Sequence, residues 1–297
     1  MRKGAKIWLN GRVTSFQNAS IPLMTHGLHY GGAVFEGVRV YHSKPFKLIQ
    51  HLNRFKKSAE LIKYSIPFTI QALERAAYHL IERENIQDGY LRPLAWRGHG
   101  DIELYAPENT IDVALLFWEW PSVFGKEREE KGITLQISNY KRPSRRFVPF
   151  ESKASGNYLL SSIAKFEACE KGYDDALLLD DRDYIAEASA ANIFFVRGKT
   201  LHTPIADAFL NGITRQTVFE LAYVNGLNVI EGRYSIEDLK SFDEVFLTGT
   251  AYEILPVRSV ESHQYQIGPV TKWIQTAYKA ETRCKTHRDH HTTFKVG

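Results

Sequence analysis

In Pro149-Phe150-Glu151-Ser152-Lys153-Ala154-Ser155-Gly156-Asn157-Tyr158 a single lysine stands between small and polar residues, just ahead of a helical pattern. A partly desolvated lysine amine forms a Schiff base with an aldehyde and can afterwards carry a proton. Most lysines are solvated surface charges instead, so Lys153 gains meaning only from its companions. One is Glu187, flanked by Ala186 and Ala188. Buried there, its carboxylate needs a cationic partner such as a protonated pyridine nitrogen; as an exposed turn residue it needs none. Another is Gly212-Ile213-Thr214-Arg215 at a helix start. Free N–H groups and a hydroxyl at that place either receive an anion or form a simple N-cap.

The elements that must position these groups are readable from local pattern. Ile7-Trp8-Leu9, Asn10-Gly11 and Arg12-Val13 predict two short strands around a type I′ turn. From Thr25 to Tyr41, glycines alternate with aromatic and charged residues, which suits a pocket wall or equally a glycine-rich loop before a buried strand. Leu52, Phe55, Ala59 and Ile62 make one helical stripe from which Arg54 projects, and Thr69 caps a second helix that buries Leu73, Ala76, Ala77, Leu80 and Ile81. Both helices are expected to cover one sheet, continued by Gly89 to Leu94 and Ile111 to Trp118. In that sheet Arg92 either faces water at a strand edge or, if buried, takes a carboxylate as its bidentate partner.

A shift to Pro, Gly and alternating charge marks a linker at 120–131, between a small α/β domain at 1–119 and a large domain at 132–297 carrying Lys153. Arg142-Pro143-Ser144-Arg145-Arg146 reads as a solvated basic loop. The helix after Lys153 is expected from about Asn157 to Gly172, with Leu160, Ile163, Ala164 and Ala168 on its apolar side. An antiparallel run of short strands follows to Val196, and a later strand from Glu244 ends in the turn Gly249-Thr250-Ala251-Tyr252.

Bulk properties narrow the function classes. The 297 residues are 43% hydrophobic and 12% aromatic, the makeup of a globular chain with one large core or two smaller ones. A net charge of +4, evenly spread, argues against nucleic-acid binding. Cys169 and Cys284 are far apart and suggest neither a disulfide framework nor a zinc site, so a reducing compartment is expected. No signal peptide or membrane span is read, and the expected location is the cytoplasm. His287, His290 and His291 read as a solvated tail, and no metal is assigned.

Lys153-Ala154-Ser155-Gly156-Asn157-Tyr158 resembles the lysine segment of the class IV, fold-type IV pyridoxal-phosphate aminotransferases. His29-Tyr30-Gly31 with Phe35-Glu36-Gly37 and Arg39 is similar to the pattern of the branched-chain amino acid aminotransferases, whereas D-amino acid aminotransferases carry a Gly-Asp pair where this chain has Gly31-Gly32. The resemblance runs from about Trp8 to Ala280 with its motifs in order. It implies an α/β fold of the α+β type, two domains with the cofactor between them, and at least a homodimer.

It further implies pyridoxal 5′-phosphate on Lys153, with Glu187 at the pyridine nitrogen, Tyr158 at the ring hydroxyl, and Arg54, Ile213, Thr214 and Thr250 at the phosphate. Tyr30, Phe35, Arg39, Tyr90, Arg92, Trp120, Thr250 and Ala251 would contact substrate. The activity implied is transamination of branched-chain L-amino acids with 2-oxoglutarate. Gly100-Asp101-Ile102-Glu103-Leu104-Tyr105-Ala106 departs from the family's shorter glycine-rich loop, which keeps open a D-amino acid or other class IV transaminase. A silent cofactor-binding scaffold is the rival from another class, against which intact Lys153, Glu187 and Tyr158 speak.

Overall fold

The computed structural model describes residues 5–120 and 124–283. The tail histidines, Cys284 and the segment 121–123 within the expected linker lie outside them. The chain opens with the predicted hairpin, β1 (Lys6–Leu9) and β2 (Arg12–Ser15), joined through Asn10 at φ 47° and Gly11 at φ 89°. A type I′ turn requires positive φ at both central residues, and Asn-Gly adopts it at least cost. After α1 (His26–Tyr30) come β3 (Ala33–Phe35), β4 (Val38–Tyr41) and β5 (Lys44–Pro45), then α2 (Leu48–Leu61) and α3 (Ile70–Glu84), then β6 (Gly89–Arg97) and β7 (Ile111–Glu119). These strands form one sheet in the order β2-β1-β7-β6-β4-β5, with β3 also on β6. Leu52, Phe55 and Ala59 of α2 and Leu73, Ala77 and Leu80 of α3 are fully buried in its core. Thr69 accepts a hydrogen bond from Ala72 N at 3.2 Å, the cap its sequence announces.

A short helix, α4 (Gly125–Lys131), precedes the second sheet. That sheet uses β8 (Ile133–Arg142), β9 (Asp175–Asp180), β10 (Ile185–Ala188), β11 (Asn192–Arg197), β12 (Thr200–Pro204), β13 (Asn228–Gly232), β14 (Glu244–Gly249), β15 (Glu253–Val260) and β16 (His263–Gln264). Its order is β10-β9-β8-β15-β14-β11-β12-β13, with β16 on β15. Because β10 also pairs with β11, through Glu187 opposite Asn192, six strands close into a ring. The run expected to be antiparallel is so from β9 to β11, but β8 pairs in parallel with both β9 and β15.

The helices of this half are α5 (Tyr158–Glu170), α6 (Ile213–Val224) and α7 (Pro269–Arg283). In α5 the buried face is Ser161, Ala164 and Ala168, while Ile163, expected on the apolar side, is exposed. Small residues let this helix lie close to β8 and β9, which turns its larger apolar side chains outward. Among the described residues no helix is long and apolar enough to cross a membrane.

Candidate active site

Lys153 does not sit on a strand. The chain leaves β8, crosses to the first sheet, and is tied there before α5 begins. Phe35 N donates to Lys153 O at 3.1 Å, Lys153 N donates to Ser58 Oγ at 3.0 Å, and Ala154 bridges Val34. The approach is close enough to need glycine: Gly31 has φ 66°, and a Cβ on it would lie 3.1 Å from Gly156 Cα. Backbone fixed from two elements leaves the Lys153 side chain little choice of direction. Its Nζ donates to Tyr158 Oη at 2.6 Å and lies 4.8 Å from the centre of the Phe35 ring.

Lys153 opens on a cleft between the two halves of the chain, lined also by Arg54, Arg142, Tyr158, Glu187, Asn192, Leu210, Gly212, Ile213, Thr214, Thr248 and Thr250. Thus all seven residues expected around a cofactor line one cleft. Glu187 lies in buried strand β10 rather than in an exposed turn. Arg142 Nη2 lies 2.9 Å from its Oε1, and Asn192 Nδ2 donates to its Oε2 at 3.0 Å. Burial pushes the Glu187 carboxyl up to about 7 against the opposing pull of Arg142 and Lys153.

Arg142 corrects the reading of its segment as a solvated loop. β8 runs through Arg142, opposite Asp180 of parallel β9, and the side chain is 8% exposed and also donates to Ser189 O at 3.1 Å. Of the three arginines, only Arg145 and Arg146 are exposed. Asn192 and Thr248 were likewise not singled out by sequence. Thr248 Oγ1 is buried without a hydrogen-bond partner among the described residues.

The anion end of the cleft is built from three places. Gly212 caps α6, whose first residues are Ile213 and Thr214, and Gly212 N is itself taken by Asn192 Oδ1 at 3.1 Å. Thr250 lies in the turn after β14. Arg54, on α2, is not a solvated charge: it pairs with fully buried Glu36, while its buried Nη1 has no partner among the described residues. Burial raises the Glu36 carboxyl, but the charges of Arg54 and His51 outweigh that and hold it well below the usual carboxylate range. A helix N-terminus, hydroxyls and an unpaired guanidinium N–H converge as a phosphate requires.

The residues expected at substrate form a second group. Arg92 stacks over Phe35 at 4.8 Å and Tyr90 at 5.4 Å, and its buried Nε is unpartnered among the described residues. Tyr90 packs on Trp120 with ring centres 5.1 Å apart. Gly37 makes room for Tyr90, since a Cβ there would overlap the Tyr90 hydroxyl. Arg39 is buried, donates to Trp120 O at 3.2 Å and lies 3.6 Å from Glu253. Of the eight residues expected at substrate only Thr250 lines the Lys153 cleft; Tyr30, Phe35, Arg39, Tyr90, Arg92, Trp120 and Ala251 do not. Tyr30 is exposed and donates to Ile102 O at 2.7 Å, so the unusual 101–106 loop is docked on α1.

Comparison with known proteins agrees in sequence and in shape. Residues 33–260 match the profile of the family described as amino-transferase class IV. A probable branched-chain-amino-acid aminotransferase of Rickettsia felis is 42% identical over 255 residues, covering 86% of this chain and 87% of the relative. The crystal structure of the Escherichia coli branched-chain amino acid aminotransferase superposes with a TM-score of 0.93 at 36% identity, over 97% of this chain and 98% of that one. The branched-chain amino acid aminotransferase from Thermobaculum terrenum, solved in its PLP form, superposes with a TM-score of 0.87 at 30% identity over 96% of each chain.

Proposed function

The chain belongs to the class IV aminotransferases and has their fold-type IV architecture, and on that premise we propose that it transaminates branched-chain L-amino acids (leucine, isoleucine and valine) with 2-oxoglutarate as acceptor. The observation that carries the reading is the meeting in one cleft of an amine, Lys153, a buried carboxylate, Glu187, and an anion cradle at Arg54, Ile213, Thr214 and Thr250. These groups fit pyridoxal 5′-phosphate: an amine for its aldehyde, a carboxylate for its pyridine nitrogen, Tyr158 for its ring hydroxyl, and the cradle for its phosphate. When bound, the cofactor supplies an electron sink for negative charge at the substrate Cα.

The remaining work falls to the chain's own residues. Lys153 Nζ, oriented by Tyr158 Oη, takes the proton from the substrate Cα, a positioned acid–base step worth about 10²–10⁴-fold. Glu187 keeps the pyridine nitrogen protonated, since an adjacent negative charge favours the charged form. Phe35, Tyr90 and Trp120 offer an apolar wall for the donor's side chain, and Arg92 offers its unpaired Nε to the acceptor's second carboxylate. The resemblance assigns substrate contacts to Tyr30, Arg39, Thr250 and Ala251 as well.

We further propose residues 1–119 and 132–297 as two domains joined at 120–131, and a homodimer as the working unit. Large exposed apolar side chains support the dimer: Leu23, Leu28 and Tyr30 around α1, Leu104 and Tyr105 in the docked loop, Phe147, and Leu159 and Phe166 on α5. The activity is tested by the visible absorbance of the protein with pyridoxal phosphate, on adding L-leucine to one sample and D-alanine to another without acceptor. Conversion of the absorbing form by L-leucine alone supports the reading. Conversion by D-alanine alone reassigns the chain to the D-amino acid transaminases, and no absorbing form at all removes the reading.

A further inference from the structure

We propose that Glu36 is a positioning residue that aims Arg54 at the cofactor phosphate; this rests on reading the cleft as a pyridoxal phosphate site. Arg54 Nε donates to Glu36 Oε1 at 2.6 Å and Arg54 Nη2 to Oε2 at 2.9 Å. The carboxylate is held in turn by His51 Nδ1, 2.7 Å from Oε2, and by Gly37 N at 3.2 Å. A guanidinium is planar and its N–H groups form a rigid fork, so fixing Nε and Nη2 fixes where Nη1 points. Nη1 is the buried nitrogen without a partner among the described residues, and Arg54 lines the cleft with Thr214 and Thr250. Glu36 is not in the lining. It is a mount for the arginine rather than a ligand.

Two effects of Glu36 oppose each other, which makes the inference decidable. Its negative charge repels a phosphate through Arg54, so charge alone predicts that removing it tightens binding. Its hold on the guanidinium removes rotamer freedom that would otherwise be lost when the anion binds, so positioning predicts the reverse.

The test measures dissociation constants of pyridoxal phosphate and of pyridoxal, which lacks the phosphate, for the full-length protein and for Glu36→Gln, Arg54→Gln and the double variant. Glu36→Gln is expected to weaken pyridoxal phosphate by about ten- to a hundred-fold and to leave pyridoxal unchanged. Added to Arg54→Gln, it is expected to change nothing further. Unchanged or tighter pyridoxal phosphate binding, equal weakening of both ligands, or additive losses in the double variant would each overturn the proposal. Should Glu36→Gln not fold, Glu36→Asp keeps the charge on a shorter arm and is expected to show the same phosphate-selective loss in milder form; equal loss of both ligands in that variant also overturns it. A wild-type protein that does not prefer pyridoxal phosphate to pyridoxal refutes the cleft assignment itself, before any variant is compared.

Discussion

Arg142 Nη2 lies 2.9 Å from Glu187 Oε1, and both side chains are buried, one at the end of β8 and the other on β10. With Asn192 on the other oxygen, each oxygen of the carboxylate has one partner, yet desolvation still outweighs the neighbouring charges and its proton is held up to about 7, above the ordinary value of 4.5. The folded protein without cofactor therefore binds this proton more tightly than the unfolded chain. The stability it contributes is fully present below pH 4.5 and is lost as pH rises through about 7. Urea unfolding of cofactor-free wild type and Glu187→Gln across this window should show the wild type losing up to about 3 kcal/mol relative to the variant, which does not titrate. A constant difference between the two would refute this.

Removing the arginine of the pair is expected to cost more than removing a surface charge. Arg142→Met leaves Glu187 buried with one partner fewer, and breaking a buried pair from one side destabilises by about 3–5 kcal/mol. Urea unfolding free energies check this, and Arg146→Met, on an exposed neighbour, should change them by no more than about 0.5 kcal/mol.

Lys153→Ala is expected to lower turnover by at least about 10⁴-fold, since on the proposed reading it removes both the covalent attachment point and the proton carrier. Its backbone ties to Phe35 and Ser58 do not involve the side chain, so circular dichroism should show an unchanged fold. Full activity in this variant would exclude the assigned chemistry.

Arg92→Gln should separate the two substrates. A charge-assisted contact to a dicarboxylate is worth about 1.5–3 kcal/mol, so KM for 2-oxoglutarate should rise at least about tenfold. KM for leucine should change far less. Steady-state kinetics with each substrate varied in turn gives both numbers, and equal changes would place Arg92 elsewhere in the cycle.

Much of this molecule is legible locally. Asn10-Gly11 dictates its turn, Thr69 its helix start, and the stripes of α2 and α3 their buried faces, because each depends on neighbours within a few residues. Burial of a charge does not work that way. Arg142 stands in a run of arginines and looks solvated until β9 pairs with it at Asp180 and Glu187 and Ser189 take its guanidinium. Glu36 and Asn192 are similar: one is buried by an arginine eighteen positions on, the other is tied to Leu210 O and Gly212 N. The outward turn of Ile163 likewise follows from how closely small residues let α5 approach the sheet.

The ring of six strands closes on one residue pair, Glu187 opposite Asn192. That seam is a short hairpin held also by Ala188 N to Ala191 O and Asn192 Nδ2 to Glu187 Oε2, and it is a wall of the cleft as well. Any molecule that binds against Glu187 braces the seam, so filling the cleft and keeping the barrel shut become the same mechanical event. Slowed amide exchange along β10 and β11 would then register occupancy without any reaction taking place.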